Sequence, residues 1–433
     1  MSDQASEPRT KAKPAEIADE LERLEPEEAI RNFRAFAPLE AALLLGELDS
    51  AKAAELLQSL KGDEIVARLR VLPPNQIADI LAFLPVSIRA EILRGLPVES
   101  SERVVALLCY PPDTAGGIMD NRFIAVNADD TVTEALDQLR GRSRQQSGDI
   151  SYVYVIDKQN RLIGVVSFRD LVFGRSNSTI GDIMNRDVSF LRAGDDQEQI
   201  AREIQRNPFL GLPVVDEVGR LVGVVRAHEA LRVAEEEATE DMQLMVGLSG
   251  EERIWTPWKE AIKKRLPWLV INLGTALVGA MVVSIFEGTI SRWSALVAFL
   301  PLISAVAGNG GNQSLTVIIR SFALGEVSVG DARRTLKKEL CLGAVNGLAL
   351  ALAIGFIAFV WKQNPWLGVV AGFAMAVNQM IGALAGVAVP FGLKSLKIDP
   401  ALASSIFVTA VTDTLGFLVF LGTAAATMRF FVV

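Results

Sequence analysis

The stretch Pro400-Ala-Leu-Ala-Ser-Ser-Ile-Phe-Val-Thr-Ala-Val-Thr-Asp413-Thr-Leu-Gly-Phe-Leu-Val-Phe420 is apolar and long enough to cross a membrane, yet it carries one carboxylate near its middle. From Ala401 to Asp413 is roughly 18 Å of helix, which is about halfway through a hydrocarbon core of about 30 Å. A charge at that depth is costly, so it normally faces a polar pathway or a charged partner. Asp413 is therefore the first candidate functional residue.

The 433 residues divide into a charged front and an apolar back. The region before Leu266 is rich in charge, whereas the rest consists mostly of apolar runs. A chain of this length is expected to form about two to four domains. Residues 1–14 have the composition of a disordered tail and lack the apolar core of a secretory signal. The composition thus predicts a multidomain membrane protein.

Composition also argues against several classes of function. Cys109 and Cys341 fall in different halves and neither has a Cys-x-x-Cys neighbour, so a disulfide framework or a zinc site is not expected. His228, the only histidine, is expected to be a partly exposed structural residue, and a catalytic triad is improbable. The net charge of -8 argues against a nucleic-acid partner. Since no nucleophile–base pair is recognisable, an enzyme is the least favoured class.

A twelve-residue period runs through residues 15–117. The apolar landmarks of this period are Leu24, Phe36, Leu48, Leu60, Leu72, Leu84, Leu96 and Leu108. Pro73, Pro85 and Pro97 follow three of them and suit the first turn of a new helix. A fixed period of short amphipathic helices predicts an α-helical N domain, an α-solenoid in which each turn packs on the next. It is interpreted as a packing module, or as a module that docks on other parts of the protein.

Residues 118–233 contain a duplicated α/β unit. The segment Val155–Asp170 aligns with Val214–Glu229 at an offset of 59 residues. Each copy is predicted to form a helix, a strand, a turn, a second strand and a short helix. Two such copies resemble a tandem cystathionine-β-synthase (CBS) pair, a module that usually senses ligands rather than catalysing reactions.

The CBS resemblance implies a candidate nucleotide site. The Ser/Thr-x-x-Asp signature that contacts ribose in such pairs is present once, as Ser167 and Asp170. In the second copy Arg226 and Glu229 stand at those positions, so the signature is degraded there. A nucleotide such as ATP is a candidate ligand, but Ser167 and Asp170 could equally be a helix N-cap and an acid in the first turn.

Residues 234–265 are predicted to form an acidic connecting helix that leads toward the membrane. Glu237, Glu240 and Asp241 lie at i, i+3 and i+4, so they share one helix face and repel one another. A bound divalent cation would relieve this repulsion, although a solvated acidic face is the simpler interpretation. A basic cluster typical of the cytoplasmic side of a span follows. Its members are Lys259, Lys263, Lys264 and Arg265.

Residues 266–433 are predicted to form a five-helix transmembrane domain. The apolar runs are about Leu266–Phe286, Ser294–Ile319, Leu340–Trp361, Trp366–Phe391 and Ala401–Phe431. Basic residues concentrate between spans two and three and between spans four and five, which places these loops and the amino terminus in the cytoplasm. Five spans then put the carboxyl terminus outside the cell (inner) membrane, and membrane lipid surrounds this domain.

Polar residues cluster inside two of these spans. Asn309 and Asn312 belong to a Gly/Asn-rich patch of span two, which must be buried in protein or line a wet cavity. In span five Ser405, Thr409 and Asp413 lie at i, i+4 and i+8 on one helical stripe. No apolar run has a Lys or Arg at the depth of Asp413, so a cation pathway is favoured over a structural ion pair.

The residue types in this pathway indicate which cation it passes. Carboxylate, amide and carbonyl oxygens without His or Cys suit Mg²⁺, which is typically held through one or two carboxylates while it keeps several waters. The apolar runs hold one carboxylate, Asp413. A symmetric dimer that places two copies of it about one axis is the natural way to reach two negative charges, so a homodimer is predicted.

Six local strings, spread over the chain, carry a family resemblance. They are Tyr110-Pro-Pro-Asp-Thr-Ala-Gly-Gly-Ile-Met, Lys264-Arg-Leu-Pro-Trp-Leu, Asn309-Gly-Gly-Asn312-Gln, Ala323-Leu-Gly-Glu326, Asp399-Pro-Ala-Leu-Ala-Ser and Thr412-Asp413-Thr-Leu-Gly-Phe. In this order, with the helical N domain, CBS pair, connecting helix and five spans, the chain resembles the MgtE family of magnesium channels and transporters. The resemblance implies a homodimer whose central pore passes Mg²⁺ into the cytoplasm down its electrochemical gradient.

The resemblance also implies roles for individual residues. Asp413 matches the family's ion-coordinating acid of the pore, and Asn312 matches a pore-lining amide. When internal Mg²⁺ is high, ions bound to the cytoplasmic domains are implied to hold the connecting ("plug") helix so that the pore stays shut. The implied regulatory ligands are Glu237, Glu240, Asp241, Asp195 and Asp196.

Two departures from the family pattern and two alternative functions stay open. Ser405-Ile406 stands where the family usually has Gly-Pro, so the helix geometry before Asp413 is expected to differ. Arg232 stands where a sensor carboxylate is expected. One alternative is a pore for another divalent cation such as Co²⁺ or Mn²⁺. The other is a CBS-regulated anion channel or receptor, against which the lone mid-membrane carboxylate argues.

Overall fold

The computed structural model describes residues 13–142, 152–206, 210–250, 252–254, 256–402 and 404–431. The chain forms two compact units that meet in sequence between residues 234 and 235. The tail predicted at residues 1–14 lies outside the described residues except for its last two positions.

Eight short helices open the first unit. They are α1 Pro14–Arg23, α2 Pro26–Arg34, α3 Pro38–Glu47, α4 Ser50–Gln58, α5 Gly62–Leu69, α6 Pro74–Ala82, α7 Val86–Gly95 and α8 Val98–Leu107. Odd-numbered helices pack on the next odd-numbered helix and even-numbered helices on the next even-numbered one, which produces two layers. This arrangement confirms the predicted α-solenoid.

A buried core position lies three residues before each of the first six landmarks of the sequence period. Leu21, Phe33, Leu45, Leu57, Leu69 and Leu81 repeat every twelve residues and are buried. The landmarks themselves lie just after the helix ends, where they close the turns. Prolines in the first turn begin four of these helices, and the Asp49 carboxylate begins α4 by accepting hydrogen bonds from the backbone N–H groups of Ala51 and Lys52.

Two copies of a three-stranded sheet follow in the first unit. The strands are β1 Ala125–Asn127, β2 Tyr152–Ile156, β3 Leu162–Ser167, β4 Leu191–Arg192, β5 Gly211–Val215 and β6 Leu221–Arg226. In each copy the first two strands are parallel and the last two form an antiparallel hairpin. The accompanying helices are α9 Ala115–Ile118, α10 Val132–Arg142, α11 Phe168–Phe173, α12 Ile180–Ile183 and α13 Gln197–Arg206.

The two hairpins have the same turn. Asp157 accepts hydrogen bonds from the backbone N–H groups of Gln159 and Arg161, and Asp216 accepts the equivalent pair from Val218 and Arg220. The hydrogen bonds to Asp157, with the one from the Arg161 backbone the largest, hold the pKa of its carboxyl below the usual range. The shared geometry confirms the predicted duplication.

The two copies also exchange their leading segments. The backbone of Asp120, before β1, pairs with Val224 of β6, whereas Asn185, before β4, pairs with Val165 of β3. Each sheet is thus extended by a segment that belongs in sequence to the other copy. Because neither sheet is complete alone, the CBS pair folds as one body.

A long helix, α14 Ala227–Met245, leads from β6 into the second unit. It begins before the predicted boundary at 234 and ends well before residue 265, so the connecting segment is a helix followed by a turn. The membrane helices are α15 Trp258–Ile285, α17 Leu300–Ala323, α18 Ala332–Lys362, α19 Pro365–Ser395 and α20 Ser404–Phe431. Between the first two lie α16 Glu287–Arg292 and a 3-10 helix at Ser294–Ala298. Among the described residues, five helices are long and apolar enough to span a membrane.

Close packing of small residues joins α18 to α19. A Cβ added at Gly347 would lie 2.9 Å from the carbonyl oxygen of Ala376, and one added at Gly355 would lie 3.0 Å from that of Gly368. Such contacts let two helix backbones approach without intervening side chains. Helix α19 also packs on α17 and α20, so it lies at the centre of the membrane unit.

We expect Gly347→Ala to lower the stability of the membrane unit by about 1–3 kcal/mol, because the added methyl group meets backbone atoms that must move apart. The matched control is Gly392→Ala on α19, where a new Cβ meets no atom within 4 Å in the described structure. Thermal unfolding of the full chain in detergent measures the effect. Equal unfolding midpoints for the two variants would show that the α18–α19 contact tolerates a side chain.

Candidate ion pathway and its connecting helix

Asp413 lies where α20 meets α17. The hydroxyl of Ser304 on α17 donates a hydrogen bond to Asp413 Oδ1. One turn further along α17, a Cβ on Gly308 would lie 3.4 Å from Thr412 Oγ1, so the two helices are close at this point. Helix α15 also approaches, since a Cβ on Gly279 would lie 3.9 Å from the Cβ of Asp413. The carboxylate is half-buried among three membrane helices.

An exposed polar stripe runs along α17, starting directly after Gly308, where this helix lies close to α20. Its members are Asn309, Gln313, Thr316 and Arg320, all exposed in the single chain. Half-buried Asn312 lies at the edge of the stripe, and its Oδ1 has no hydrogen-bond partner among the described residues. Polar side chains at this depth are costly against lipid tails, so the stripe fits a wet pathway or a second copy of the chain better than lipid.

Ser405 and Thr409 occupy the same helical stripe of α20 as Asp413. Both are half-buried, and the backbone carbonyl of Thr409 accepts a hydrogen bond from Thr412 Oγ1 at 3.0 Å. Helix α20 runs from Ser404 to Phe431, through the position where the resemblance leads one to expect Gly-Pro. Ile406 at this position packs against the turn that follows α14, because a Cβ on Gly247 would lie 2.9 Å from Ile406 Cδ1.

Two amides of α19 are structural parts of this region that the sequence analysis missed. Asn378 is fully buried, and its Nδ2 donates to the carbonyl oxygen of Ile303 at 3.2 Å. Gln379 Nε2 donates to the carbonyl oxygen of Val306 at 3.1 Å. Both acceptors lie on α17, close in sequence to Ser304. A pair of adjacent amides inside an apolar run was a usable signal, of the same kind that selected Asn309 and Asn312.

A second carboxylate was also missed. Glu339 on α18 is buried, and Ser314 Oγ of α17 donates to its Oε2 at 2.7 Å. Lys338 Nζ lies 3.4 Å from the other carboxylate oxygen. The apolar run of span three begins at Leu340, but α18 begins at Ala332, so Glu339 is inside the helix. The apolar runs themselves hold Asp413 alone, and the buried Glu339 belongs to the part of α18 that precedes its apolar run.

The end of α14 packs on the membrane helices. Leu244 shares a hydrophobic cluster with Leu315 and Ile319 of α17 and with Val408 of α20. Gly247, in the left-handed region at φ +78°, turns the chain directly after the helix, and a Cβ there would lie 3.2 Å from the Cβ of Trp268 on α15. The connecting segment thus touches the three helices that surround Asp413.

A chain of polar contacts joins α14 to α15. The side-chain amide of Gln243 donates to the backbone carbonyl of Glu252 at 2.7 Å and accepts from its N–H at 3.0 Å. The buried Glu252 carboxylate accepts a hydrogen bond from Arg265 Nε at 2.8 Å. This hydrogen bond holds the pKa of Glu252 below its usual range. The connecting helix and the first span are therefore linked through one charged pair.

The acids implied as regulatory ligands lie at separate places. Glu237, Glu240 and Asp241 are half-buried on α14. Asp195 and Asp196 belong to a turn in the first unit: Asp195 accepts from the backbone N–H of Arg192 at 2.7 Å, and Asp196 accepts from that of Glu198 at 2.9 Å, where α13 begins. In the described part of a single chain, no three His, Cys, Asp or Glu residues are grouped as metal ligands.

The candidate nucleotide residues form a helix cap. Ser167 is the N-cap of α11, accepting from the backbone N–H of Asp170 at 3.0 Å and donating to its carboxylate at 2.6 Å. Both are accessible for further contacts at the end of β3. In the second copy Glu229 accepts from Arg232 at 2.9 Å, so Arg232 pairs within its own helix.

Family models match most of the chain. A model described as "Divalent cation transporter" matches residues 300–423, and one described as "MgtE intracellular N domain" matches residues 12–113. Models of the CBS domain match residues 115–176 and 180–236. The order of these matches is the predicted order: helical domain, CBS pair, membrane domain.

Known proteins agree with these matches. The magnesium transporter MgtE of Enterococcus faecalis is 36% identical over 334 residues, which are 77% of this chain and 73% of that protein. MgtE of Thermus thermophilus is 37% identical over 331 residues, 74% of this chain and 71% of that protein. A crystal structure of the cytosolic domain of the Mg²⁺ channel MgtE in complex with ATP is 32% identical, with 52% of this chain and 91% of that one covered and a TM-score of 0.47.

The fold and these matches define an integral membrane transport protein with a CBS pair, not an enzyme. The chain belongs to the MgtE family. The family and the fold class predicted from sequence are both confirmed.

We expect Glu252→Gln to loosen the junction between α14 and α15, because the pair with Arg265 loses its charge. Hydrogen exchange at residues 243–250 in the full chain should become faster, with Glu260→Gln as the control, since the Glu260–Lys264 pair is more exposed. Equal exchange rates in the two variants would show that the charged pair does not hold the junction.

The stabilisation that Glu252→Gln removes should depend on pH. The pKa of Glu252 is lower in the folded state than in the unfolded state, where it is about 4.3. Its ion pair with Arg265 therefore stabilises the native state fully when the pH is above the unfolded-state pKa. This stabilisation is lost as the pH falls through the lower pKa of the folded state. The difference in unfolding midpoint between wild type and Glu252→Gln should therefore be full at neutral pH and shrink below about pH 4. A difference that grows on acidification would contradict the assignment.

Proposed function

We propose that the protein is a Mg²⁺ channel or transporter of the cell membrane that carries Mg²⁺ into the cytoplasm as a homodimer. Two neighbouring features carry this proposal. The Asp413 carboxylate of α20 accepts a hydrogen bond from Ser304 of α17. The exposed polar stripe of α17 begins in the turn after Ser304. Lipid cannot satisfy that stripe, whereas a water-filled path between two copies can. The pore residues proposed are Asp413, Asn312, Asn309, Ser405 and Thr409.

The choice of Mg²⁺ rests on ligand chemistry and on the relatives. The polar groups around Asp413 are oxygens of hydroxyls, amides and carbonyls, which suit a hard cation that keeps its waters. Two copies of Asp413 across a dimer axis would match the charge of one divalent ion. The similar proteins of Enterococcus faecalis and Thermus thermophilus are magnesium transporters by name.

The proposed orientation places the amino terminus in the cytoplasm and the carboxyl terminus outside. Its support is the distribution of basic residues, which are concentrated before α15 enters its apolar run, at the start of α18 and at the end of α19. In this orientation α14 approaches the membrane helices from the cytoplasmic side.

Intracellular Mg²⁺ is proposed to close the pore. Glu237, Glu240 and Asp241 would bind one ion on α14, and Asp195 and Asp196 would bind regulatory Mg²⁺ separately, within the CBS pair. The support is mechanical: the end of α14 packs against α17 and α20 through Leu244. An ion that fixes α14 would then fix the helices that carry the pathway.

A nucleotide such as ATP is proposed as a second ligand of the CBS pair. Ser167 and Asp170 provide a hydroxyl and a carboxylate at the exposed start of α11, in the positions of the family's ribose contacts. The CBS matches to both copies support this site.

We expect Asp413→Asn to reduce Mg²⁺ flux into proteoliposomes roughly tenfold or more, because a neutral amide no longer balances the charge of a divalent ion. The matched control is Glu287→Gln, an exposed carboxylate outside the five spans. Flux should stay close to wild type in the control. If Asp413→Asn conducts normally, the pathway lies elsewhere. If Co²⁺ or Mn²⁺ passes faster than Mg²⁺ through the wild type, the ion is misassigned.

The gate is tested by replacing Glu237, Glu240 and Asp241 together with their amides. Flux at low internal Mg²⁺ should be unchanged, whereas inhibition by internal Mg²⁺ should need roughly tenfold more of the ion. The control replaces Glu235 and Glu236, which are exposed on the same helix, by Gln. Unchanged inhibition in the triple variant would remove the connecting helix from the gate and leave the pathway proposal standing.

A further inference from the structure

Two cations in the first two turns of α18 have no ion pair within the described part of the chain. Arg333 and Lys337 are both exposed and lie at i and i+4, so they share one helix face and repel each other. The helix dipole adds to this cost, because it favours anions rather than cations near the start of a helix. An anion bound beside these two side chains would relieve both effects.

The charges around Arg333 and Lys337 leave a positive excess. Residues 320–339 include five basic and three acidic residues. One acid, Glu339, is buried on the opposite face of α18, and Lys338 Nζ lies 3.4 Å from its Oε1. A second acid, Asp331, interacts electrostatically with Arg334. An excess of two positive charges therefore remains in this segment after all three acids are counted.

The end of α19 adds to this excess. It lies beside the start of α18, because Phe391 shares a hydrophobic cluster with Leu336. Lys394 and Lys397 follow Phe391 in sequence, and Asp399 is the one acidic residue between α19 and α20. The positive surface is thus supplied by two neighbouring helix ends, and neither end brings enough carboxylates to neutralise it.

The exposed face of α18 continues from these cations as an apolar stripe. Cys341, Val345 and Leu348 follow Lys337 at i+4, i+8 and i+11, and the last two are 63% and 62% exposed. Lys337 precedes the apolar run at Leu340 by three residues, about 4–5 Å, which is within the roughly 5–7 Å that headgroups occupy on each side of a bilayer. Acyl chains of that leaflet, about 15 Å long, lie beside Val345 and Leu348.

We propose that this face of α18 binds an anionic phospholipid. Its phosphodiester group lies between Arg333 and Lys337, and one acyl chain lies along Val345 and Leu348. Guanidinium and ammonium groups both suit phosphate oxygens, and long basic side chains reach the headgroups from positions just outside the hydrocarbon core. A zwitterionic lipid has no net charge to offset the positive excess, so the site selects lipids by charge.

Helix α15 offers a matched comparison. Lys259 and Lys263 stand seven and three residues before its apolar run, the same distances as Arg333 and Lys337 before that of α18. The surroundings differ in sign, because residues 235–265 include eight acidic and five basic residues. An acidic neighbourhood repels an anionic headgroup, so the lipid is expected at α18 and not at α15.

The test is native mass spectrometry of the full chain, released from micelles with equal amounts of phosphatidylglycerol and phosphatidylcholine that have identical acyl chains. We expect the wild type to retain phosphatidylglycerol at least tenfold over phosphatidylcholine. The double variant Arg333→Gln/Lys337→Gln should lose most of this preference, whereas Lys259→Gln/Lys263→Gln should keep it. In detergent without phospholipid, the α18 variant should unfold at the wild-type temperature or above it, because a repulsion is removed. This separates loss of the lipid from loss of the fold.

Four results would overturn the proposal. The first is equal retention of the two lipids by the wild type, and the second is an unchanged preference in the α18 variant. The third is a change from dimer to monomer in that variant, which would make this face an interface between copies of the chain. The fourth is displacement of phosphatidylglycerol by an equal concentration of glycerol phosphate, which has the charge but no acyl chain.

Discussion

Polar groups within the membrane helices need protein partners, since the hydrocarbon region of a bilayer offers none. For four of these groups in the described residues, the partner comes from one helix, α17. Its Ser304 donates to Asp413 of α20, its Ser314 donates to Glu339 of α18, and its backbone carbonyls accept from Asn378 and Gln379 of α19. Helix α17 thus fixes the positions of three neighbours through hydrogen bonds that lipid cannot replace. The exposed polar stripe of α17 has no such partners within the described part of one chain, so it needs contact with water or with a second copy of the chain.

Two physically different contacts connect α14 to these helices. The Gly247 turn touches Ile406 and Trp268 through apolar atoms, and the contact needs a residue without a side chain. The pair of Glu252 with Arg265 is charged and directional, and Gln243 holds the backbone of Glu252 from the other side. An apolar contact resists separation in any direction, whereas a bidentate charge pair also fixes orientation. Through these two contacts, a displacement of α14 would shift α15 and α20 together.

Sequence periodicity was enough to predict the solenoid, the duplicated sheets and the five spans, because each repeats a simple pattern of apolar residues. The landmarks of the period lie in the turns, where Leu48, Leu84 and Leu96 are buried, and a second buried repeat lies three residues before the first six of them. Periodicity missed Glu339, because an apolar-run criterion ends a span at the first charge although the helix continues. It could not find Ser304 as the partner of Asp413, because the two lie 109 residues apart and only tertiary packing brings them together.

The two CBS copies share one fold but differ in what they pack against. Their hairpin turns are built alike on Asp157 and Asp216, so backbone geometry does not distinguish them. Their surroundings do. The second copy shares its hydrophobic core with the solenoid, whereas the buried core of the first copy forms a separate cluster. The solenoid therefore covers part of the second copy, whereas Ser167 and Asp170 in the first copy stay accessible at the start of α11.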